Sequence, residues 1–393
     1  MEMISLKQAV LETVDELRDS VVAVSRDLYE NPELSLEEVR SSRLLGEILA
    51  GEKFEVTAAV AGLPTAFVAL RRTGRSGPRI AFLAEYDALP GIGHACGHNL
   101  IASAALGAGL ALGRHAEKLG GEILVIGTPA EETIGGKCIM VRKGVFEGID
   151  AALMIHPASE WRVEADSLAC VSIKVIYTGR EAHAVAWPEK GINALDPMIQ
   201  LFIAVEMMKK RLGRDVRIPG VILEGGVRAN IVPARTVGHF TIRALDSAAR
   251  DRARAEFERV AREIGSVAGC GVSFEPTDEP YDELVTNKTM AAVFAGHLEE
   301  WGITVLNGPR PNKGSLDMGN VSRVVPSLHP FISICDRIIP SHSEEFARAT
   351  ISKLGEDALM IAVRALALTG LDLLTRADLL EAVKKEFSAS GPR

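Results

Sequence analysis

The chain has 393 residues, 47% hydrophobic and 24% charged, which fits one large or two ordinary globular domains and excludes a disordered or collagen-like polypeptide. Lys and Arg total 44 against 52 Asp and Glu, a net charge of -8, so no global field draws the chain to phosphate backbones and nucleic acid is not an expected partner. No run reaches the ~18 to 20 apolar residues of a membrane span, the acid-bearing start lacks a signal-peptide pattern, and Cys96, Cys138, Cys170, Cys270 and Cys335 are too scattered for a disulfide framework, so a cytoplasmic chain with reduced thiols and no membrane partner is expected.

Apolar residues at helical spacing predict a helix from about Leu6 to Tyr29, and Ser35 with Glu38 reads as a capping box for a second helix to about Leu49. Three short apolar runs follow, Ile80 to Leu83, Ile123 to Ile126 and Ala151 to Ile155, each long enough for a buried strand and too short for a helix. Leu100 to Leu112 is almost wholly Ala, Leu, Ile and Gly, a small-residue helix with His98 and Asn99 at its amino end. The alternation predicts an α/β fold with a doubly wound sheet, whose ligands sit beyond the carboxyl ends of the strands. Polar residues stand at those ends: Glu85 and Asp87, then Glu131 and Glu132, then His156.

From about Ala169 the pattern changes. VSIKVIYTG alternates as a strand, Asn193 to Leu212 is helical, GVILEGG and TVGHFTIRAL read as strands, Ala248 to Ile264 is helical and GVSFEP is a strand. The order βαββαβ is that of a ferredoxin-like module, expected over residues 169–282 as an insertion in a domain built from 1–168 and 283–393. In the tail, Phe331 to Cys335 reads as a strand and Ser343 to Ala367 as one long helix.

The segment from Glu85 to Asn99 packs a thiol, two imidazoles and two carboxylates into a stretch bent by Pro90, Gly91, Gly93 and Gly97. Cys96 and His98, two apart across a glycine, converge on one ion in an irregular turn and diverge in a straight strand. Singly, each candidate has a bland reading: a solvated loop for Glu131 and Glu132, a satisfied core histidine for His156, a helix cap shared with Ser341 and Ser343 for His342. Together, Cys96, His98, Glu132, His156 and His342 supply a thiolate, three imidazoles and a carboxylate, a set that suits zinc best and tolerates manganese or cobalt. Five ligands exceed the four of a closed structural site, so two divalent ions and a bridging water are expected, with Glu131 as general base.

These residues lie in a longer pattern: NPELSLEE from Asn31, EYDALPGIGHACGHN, PAEE, His156-Pro157, GREAHA, EGGVRANIVP and Pro340-Ser-His-Ser. The pattern resembles the aminoacylase and glutamate-carboxypeptidase family of dinuclear zinc peptidases in its amidohydrolase branch. The string from Glu85 is most similar to the Xaa-Arg (β-alanyl-lysine) dipeptidase and p-aminobenzoyl-glutamate hydrolase types. The resemblance implies the same five metal ligands, Glu131 as catalytic base and Asp87 as the group that orients a ligand. It implies that His183 stabilises the oxyanion, commonly across a dimer, that Asn230 and Arg228 contact substrate, and that Ser315 and Asp317 line the substrate pocket. Asn99 stands where this branch often has Asp, removing a charge near the metals. The inserted module then acts as a lid that makes a homodimer. The expected activity is hydrolysis of an amide bond in an N-acyl amino acid, a dipeptide or an aminobenzoyl-glutamate-like small molecule. The alternatives are an inactive metal- or peptide-binding relative and an aryl-amine deaminase using the same site.

Overall fold

The computed structural model describes residues 2–213, 215–308, 310 and 313–389. The chain divides into two compact units, one of Met1–Asp166, Leu284–Asn312 and Asp317–Arg393, the other of Ser167–Glu283 and Lys313–Leu316. The short return of Lys313–Leu316 to the second unit is absent from the sequence reading, which leaves that segment in the first domain.

The first unit opens with helices α1 (Glu2–Glu16), α2 (Arg18–Glu30) and α3 (Val39–Gly51) and a hairpin of β1 (Glu55–Ala58) and β2 (Phe67–Arg72). It then alternates through β3 (Arg79–Ala84), α4 (His98–Gly113), β4 (Glu122–Gly127), α5 (Gly136–Arg142), β5 (Ala151–Leu153) and β6 (His156–Ala158). The second unit carries β7 (Ala169–Thr178), α6 (Leu195–Leu212), β8 (Gly220–Glu224), β9 (Arg235–Ala244), α7 (Ser247–Val267) and β10 (Gly271–Pro276). The first unit resumes with α8 (Lys288–Glu300), α9 (Met318–Ser322), β11 (Ser327–Leu328), β12 (Phe331–Ser333), α10 (Glu344–Thr350), α11 (Lys353–Thr375) and α12 (Ala377–Ala389).

The main sheet has the order β1-β2-β4-β3-β5-β11, in which β4, β3, β5 and β11 run parallel and the β1-β2 hairpin is antiparallel at one edge. Because β4 and β5 flank β3 on opposite sides, the crossovers diverge there, and the crevice at the carboxyl ends is the expected ligand position. All three predicted strands form, and the segments after them bring Glu85, Asp87, Glu131, Glu132 and His156 to that end.

Helix α4 is buried at every position, as expected of a helix apolar all round. Its small residues let it lie close against the sheet: a Cβ on Gly109 would stand 2.3 Å from the Val125 side chain. Helix α11 packs beside α4 and is long and apolar enough to cross a membrane, against the expectation that no run reaches that length. Of its most apolar window 83% is buried, which marks a core helix.

Three local readings are corrected. The first predicted helix is two, divided at Leu17, and the late one is two, divided at Ile351 and Ser352, where Ser352 caps α11 by accepting from the Gly355 N–H. The Ser35-Glu38 capping box does not form. Ser35 donates to Asp87 at 2.8 Å, and Glu38 accepts from Thr65 at 2.8 Å and from the Ala130 N–H at 2.9 Å, so long-range partners outcompete the local cap.

The second unit forms an antiparallel sheet of order β10-β7-β9-β8, the arrangement of a ferredoxin-like βαββαβ unit. Alternate residues of β7 (Val171, Ile173, Val175, Tyr177) and of β9 (Phe240, Ile242, Ala244) share one core with Met198 and Leu201 of α6 and Phe257 of α7.

Candidate metal centre

The turn between β3 and α4 carries Cys96 and His98 on either side of Gly97, whose φ of 85° favours glycine. A Cβ at Gly97 would stand 2.7 Å from Pro157, so the absence of a side chain lets the Cys96-His98 turn approach the His156-Pro157 segment. The result is a Cys96 Sγ to His156 Nε2 distance of 3.4 Å. His156 Nδ1 lies 2.8 Å from the Pro157 carbonyl, which places its proton there and aims the Nε2 lone pair at the thiol.

His98 is held from behind by Asp87. Its Nδ1 donates to the Asp87 carboxylate at 3.0 Å and to the Asp87 carbonyl at 2.8 Å, leaving Nε2 buried and with no hydrogen-bond partner among the described residues. Asp87 is itself fixed by Ser35 and by the Glu132 N–H at 3.0 Å. Glu132 Oε1, also buried and unpartnered among the described residues, lies 3.9 Å from His98 Nε2 and 3.5 Å from His342 Nε2. Three groups therefore bring ligand atoms within 4.8 Å of one another: Cys96, His98 and His156; Cys96, Glu132 and His342; His98, Glu131 and Glu132.

Two backbone outliers support this cluster. Ala130 and His342 are non-glycine residues with φ of 60°, a conformation that costs ~1–3 kcal/mol and recurs at functional sites. Ala130, directly before Glu131, is held by Glu38 through its N–H and receives the N–H of Gly135 on its carbonyl at 3.1 Å. His342 is pinned by its N–H to the Ala95 carbonyl at 2.9 Å, next to Cys96.

Electrostatically the cluster has an excess of acid. Burial, then the neighbouring Asp317, Glu85 and Glu132 carboxylates, raises Glu131 well above the ordinary glutamate range. Burial pushes the Cys96 thiol up and His156 down to about 3. Burial would also lower His98, but Asp87 overrides it and raises the ring well above the imidazole range. Crowded carboxylates, a thiol kept from ionising and two buried unpartnered donor atoms are all relieved by cations, so the donor set fits a pair of divalent ions.

Among residues the sequence reading did not assign, His329 follows β11 as His156 follows β5, and the two rings are 5.6 Å apart. The strand-end rule that singled out His156 would have found it. Lys137 has no comparable local signal, and Glu38 is read only as a helix cap. Asn99 faces elsewhere: its Nδ2 donates to Ser25 Oγ at 3.0 Å and Thr350 Oγ1 at 3.2 Å, so the missing charge at this position concerns those hydroxyls.

Other predicted residues lie in the second unit or are committed to other partners. Exposed His183 accepts through Nδ1 from the N–H groups of Ala186 at 3.1 Å and Val185 at 3.3 Å, which leaves Nε2 as its donor. The His183 loop pairs with that of exposed Arg228 and Asn230, Ala184 N–H donating to the Asn230 carbonyl at 3.0 Å. Ser315 accepts from Arg243 at 3.0 Å within the second unit. Asp317 belongs to the first unit, fully buried with both oxygens accepting from Lys137.

The chain is 35% identical to the Xaa-Arg dipeptidase of Mus musculus over 98% of its own length and 93% of that protein. It is 33% identical to the Xaa-Arg dipeptidase of Homo sapiens over 98% and 92%. Its fold matches that of a dinuclear metal-binding peptidase of the M20 family from Bacillus subtilis with a TM-score of 0.70 at 20% identity, covering 92% of this chain and 99% of that one. Residues 81–369, well over half of the chain, match one family description, and the chain belongs to peptidase family M20/M25/M40.

Proposed function

We propose that the chain is a metal-dependent hydrolase of amide bonds whose substrate is a dipeptide with a basic carboxyl-terminal residue. The convergence of Cys96, His98, Glu132, His156 and His342 beside Glu131 at the carboxyl ends of the parallel strands carries the reading. The substrate class follows the Xaa-Arg dipeptidases to which the chain is similar along nearly its full length. The five named residues would hold two divalent ions, zinc first by donor chemistry, with manganese or cobalt tolerated. Bound there, such ions polarise a carbonyl and acidify water.

The protein groups divide the remaining work. Glu131 accepts the proton of the attacking water and delivers it to the departing amine nitrogen; its raised pKa suits an acid that must both take and give a proton. Asp87 fixes the ring and tautomer of His98. His183 offers Nε2–H to the developing oxyanion, and Arg228 and Asn230, on the adjoining loop, bind the substrate's polar groups.

A second copy of the chain is the proposed partner. In the second unit α6 exposes Ile199, Ile203 and Met207 at one-turn spacing, and the edge strand β8 exposes Val221, Ile222 and Leu223. Such an apolar surface and open edge call for a cover. Ile203→Glu is expected to convert a dimer to a monomer in sedimentation velocity; an unchanged sedimentation coefficient would rule this face out.

The activity itself is tested with chelated protein reloaded with Zn2+, Mn2+ or Co2+ and offered dipeptides, N-acyl amino acids and aminobenzoyl-glutamate. Free arginine or lysine is expected from the dipeptides, only in the reloaded protein. Ammonia as the product would favour deamination, and no turnover with ions bound would favour a binding protein.

A further inference from the structure

A buried charged cluster stands beside the histidines that the hydrolytic scheme does not use. Lys137, on the first turn of α5, has a side chain with no exposed surface. Its Nζ donates to Glu85 Oε1 and, at 2.9 Å, to Asp317 Oδ1, while its own backbone N–H donates to Asp317 Oδ2 at 2.9 Å. Burial alone would discharge the amine, but Asp317 and Glu85 hold it above the usual lysine range.

This clamp sets the rotation of the Glu85 carboxylate. With Oε1 on Lys137, Oε2 lies 3.5 Å from His98 Nε2, the ring nitrogen that Asp87 does not hold. Two donors each ~2.1 Å from one ion lie roughly 3 to 3.5 Å apart. Glu85 therefore stands at ligand range from an ion on His98 while its charge is engaged by an ammonium.

We propose that Lys137 is a positioning residue that keeps Glu85 beside the coordination sphere of an ion at His98 but outside it, and so weakens the hold on that ion. The inference rests on the metal reading above. Removing the ammonium acts twice in one direction: it frees a carboxylate next to His98 and takes away a positive charge that opposes the cation.

The test is calorimetric titration of Mn2+ into chelated protein, with metal analysis of the product. Lys137→Met is expected to lower the Kd of the tighter site at least tenfold, and the double variant Lys137→Met/Glu85→Gln to return it to within threefold of the parent. An unchanged or weaker Kd in folded Lys137→Met overturns the inference. Should Lys137→Met fail to fold, Glu85→Gln decides: two ions retained support Glu85 as a neighbour, and loss of one shows it to be a ligand already and overturns the proposal. A parent protein that binds no Mn2+ overturns the hydrolase reading as well, whereas two ions in the parent with an unchanged Lys137→Met Kd overturns the clamp alone.

Discussion

Glu131→Gln is expected to retain its metal and lose turnover by ~10^2- to 10^4-fold, the range of general acid-base catalysis. The amide keeps the shape of the carboxylate and cannot accept the water proton. Glu131 shares a possible ligand group with His98 and Glu132, so geometry alone offers it two roles. Asp317, Glu85 and Glu132 already crowd this carboxylate upward in pKa, so neutralising it relieves repulsion, and the metal-free variant should melt at a higher temperature than the metal-free parent. The check is metal content and kcat on the same preparation. Loss of an ion together with activity would make Glu131 a ligand, and retained turnover would remove it from the base role.

Cys96→Ser is expected to have the largest effect on metal. Cys96 belongs to two of the three groups whose ligand atoms converge, with His98 and His156 in one and Glu132 and His342 in the other. A serine hydroxyl keeps the size but offers no thiolate, and burial already opposes ionisation at this position. Metal affinity should fall by more than the ~10- to 100-fold lost when an outer hydrogen-bond partner of a ligand is removed. Activity should fall with it and recover in part at high Zn2+. Metal content after dialysis reports the first effect, and a Zn2+ titration of activity the second. A variant that keeps both ions through dialysis would place Cys96 outside the ligand set.

Much of the fold is legible in the chain because its central strands are short, nearly unbroken apolar runs. Ile80 to Leu83 and Ile123 to Ile126 are buried on both faces, which leaves a signal that periodicity arguments read directly. The ferredoxin-like unit is legible for the complementary reason, since alternating β7 and β9 face one core. The helix break at Leu17 is silent: the residue is buried, keeps right-handed helical dihedrals and accepts from the Val21 N–H, so apolar spacing runs through it. At Ser352 a signal existed, a serine three residues before Gly355, and the apolar pattern on both sides masked it.

The candidate site divides the same way. Residues that end strands or sit in glycine-rich turns stand out in sequence, and the structure brings Cys96, His98, Glu132 and His156 together from those positions and His342 from the turn before α10. Residues that act through distant partners do not. Glu38 reaches Ala130 across 92 positions and Lys137 reaches Asp317 across 180, and neither of these long-range bonds has a local spacing that announces it. Ser35 and Glu38 show the opposite error, a good local motif overruled by tertiary partners.

The most direct measurement is an anomalous difference map from crystals grown with Zn2+. The account predicts two peaks between the β3-α4 turn and the segment after β5, with Cys96 Sγ and the imidazoles of His98, His156 and His342 at ~2.0 to 2.3 Å from them. Peaks elsewhere, or a Cys96 sulfur bound to neither ion, would contradict it.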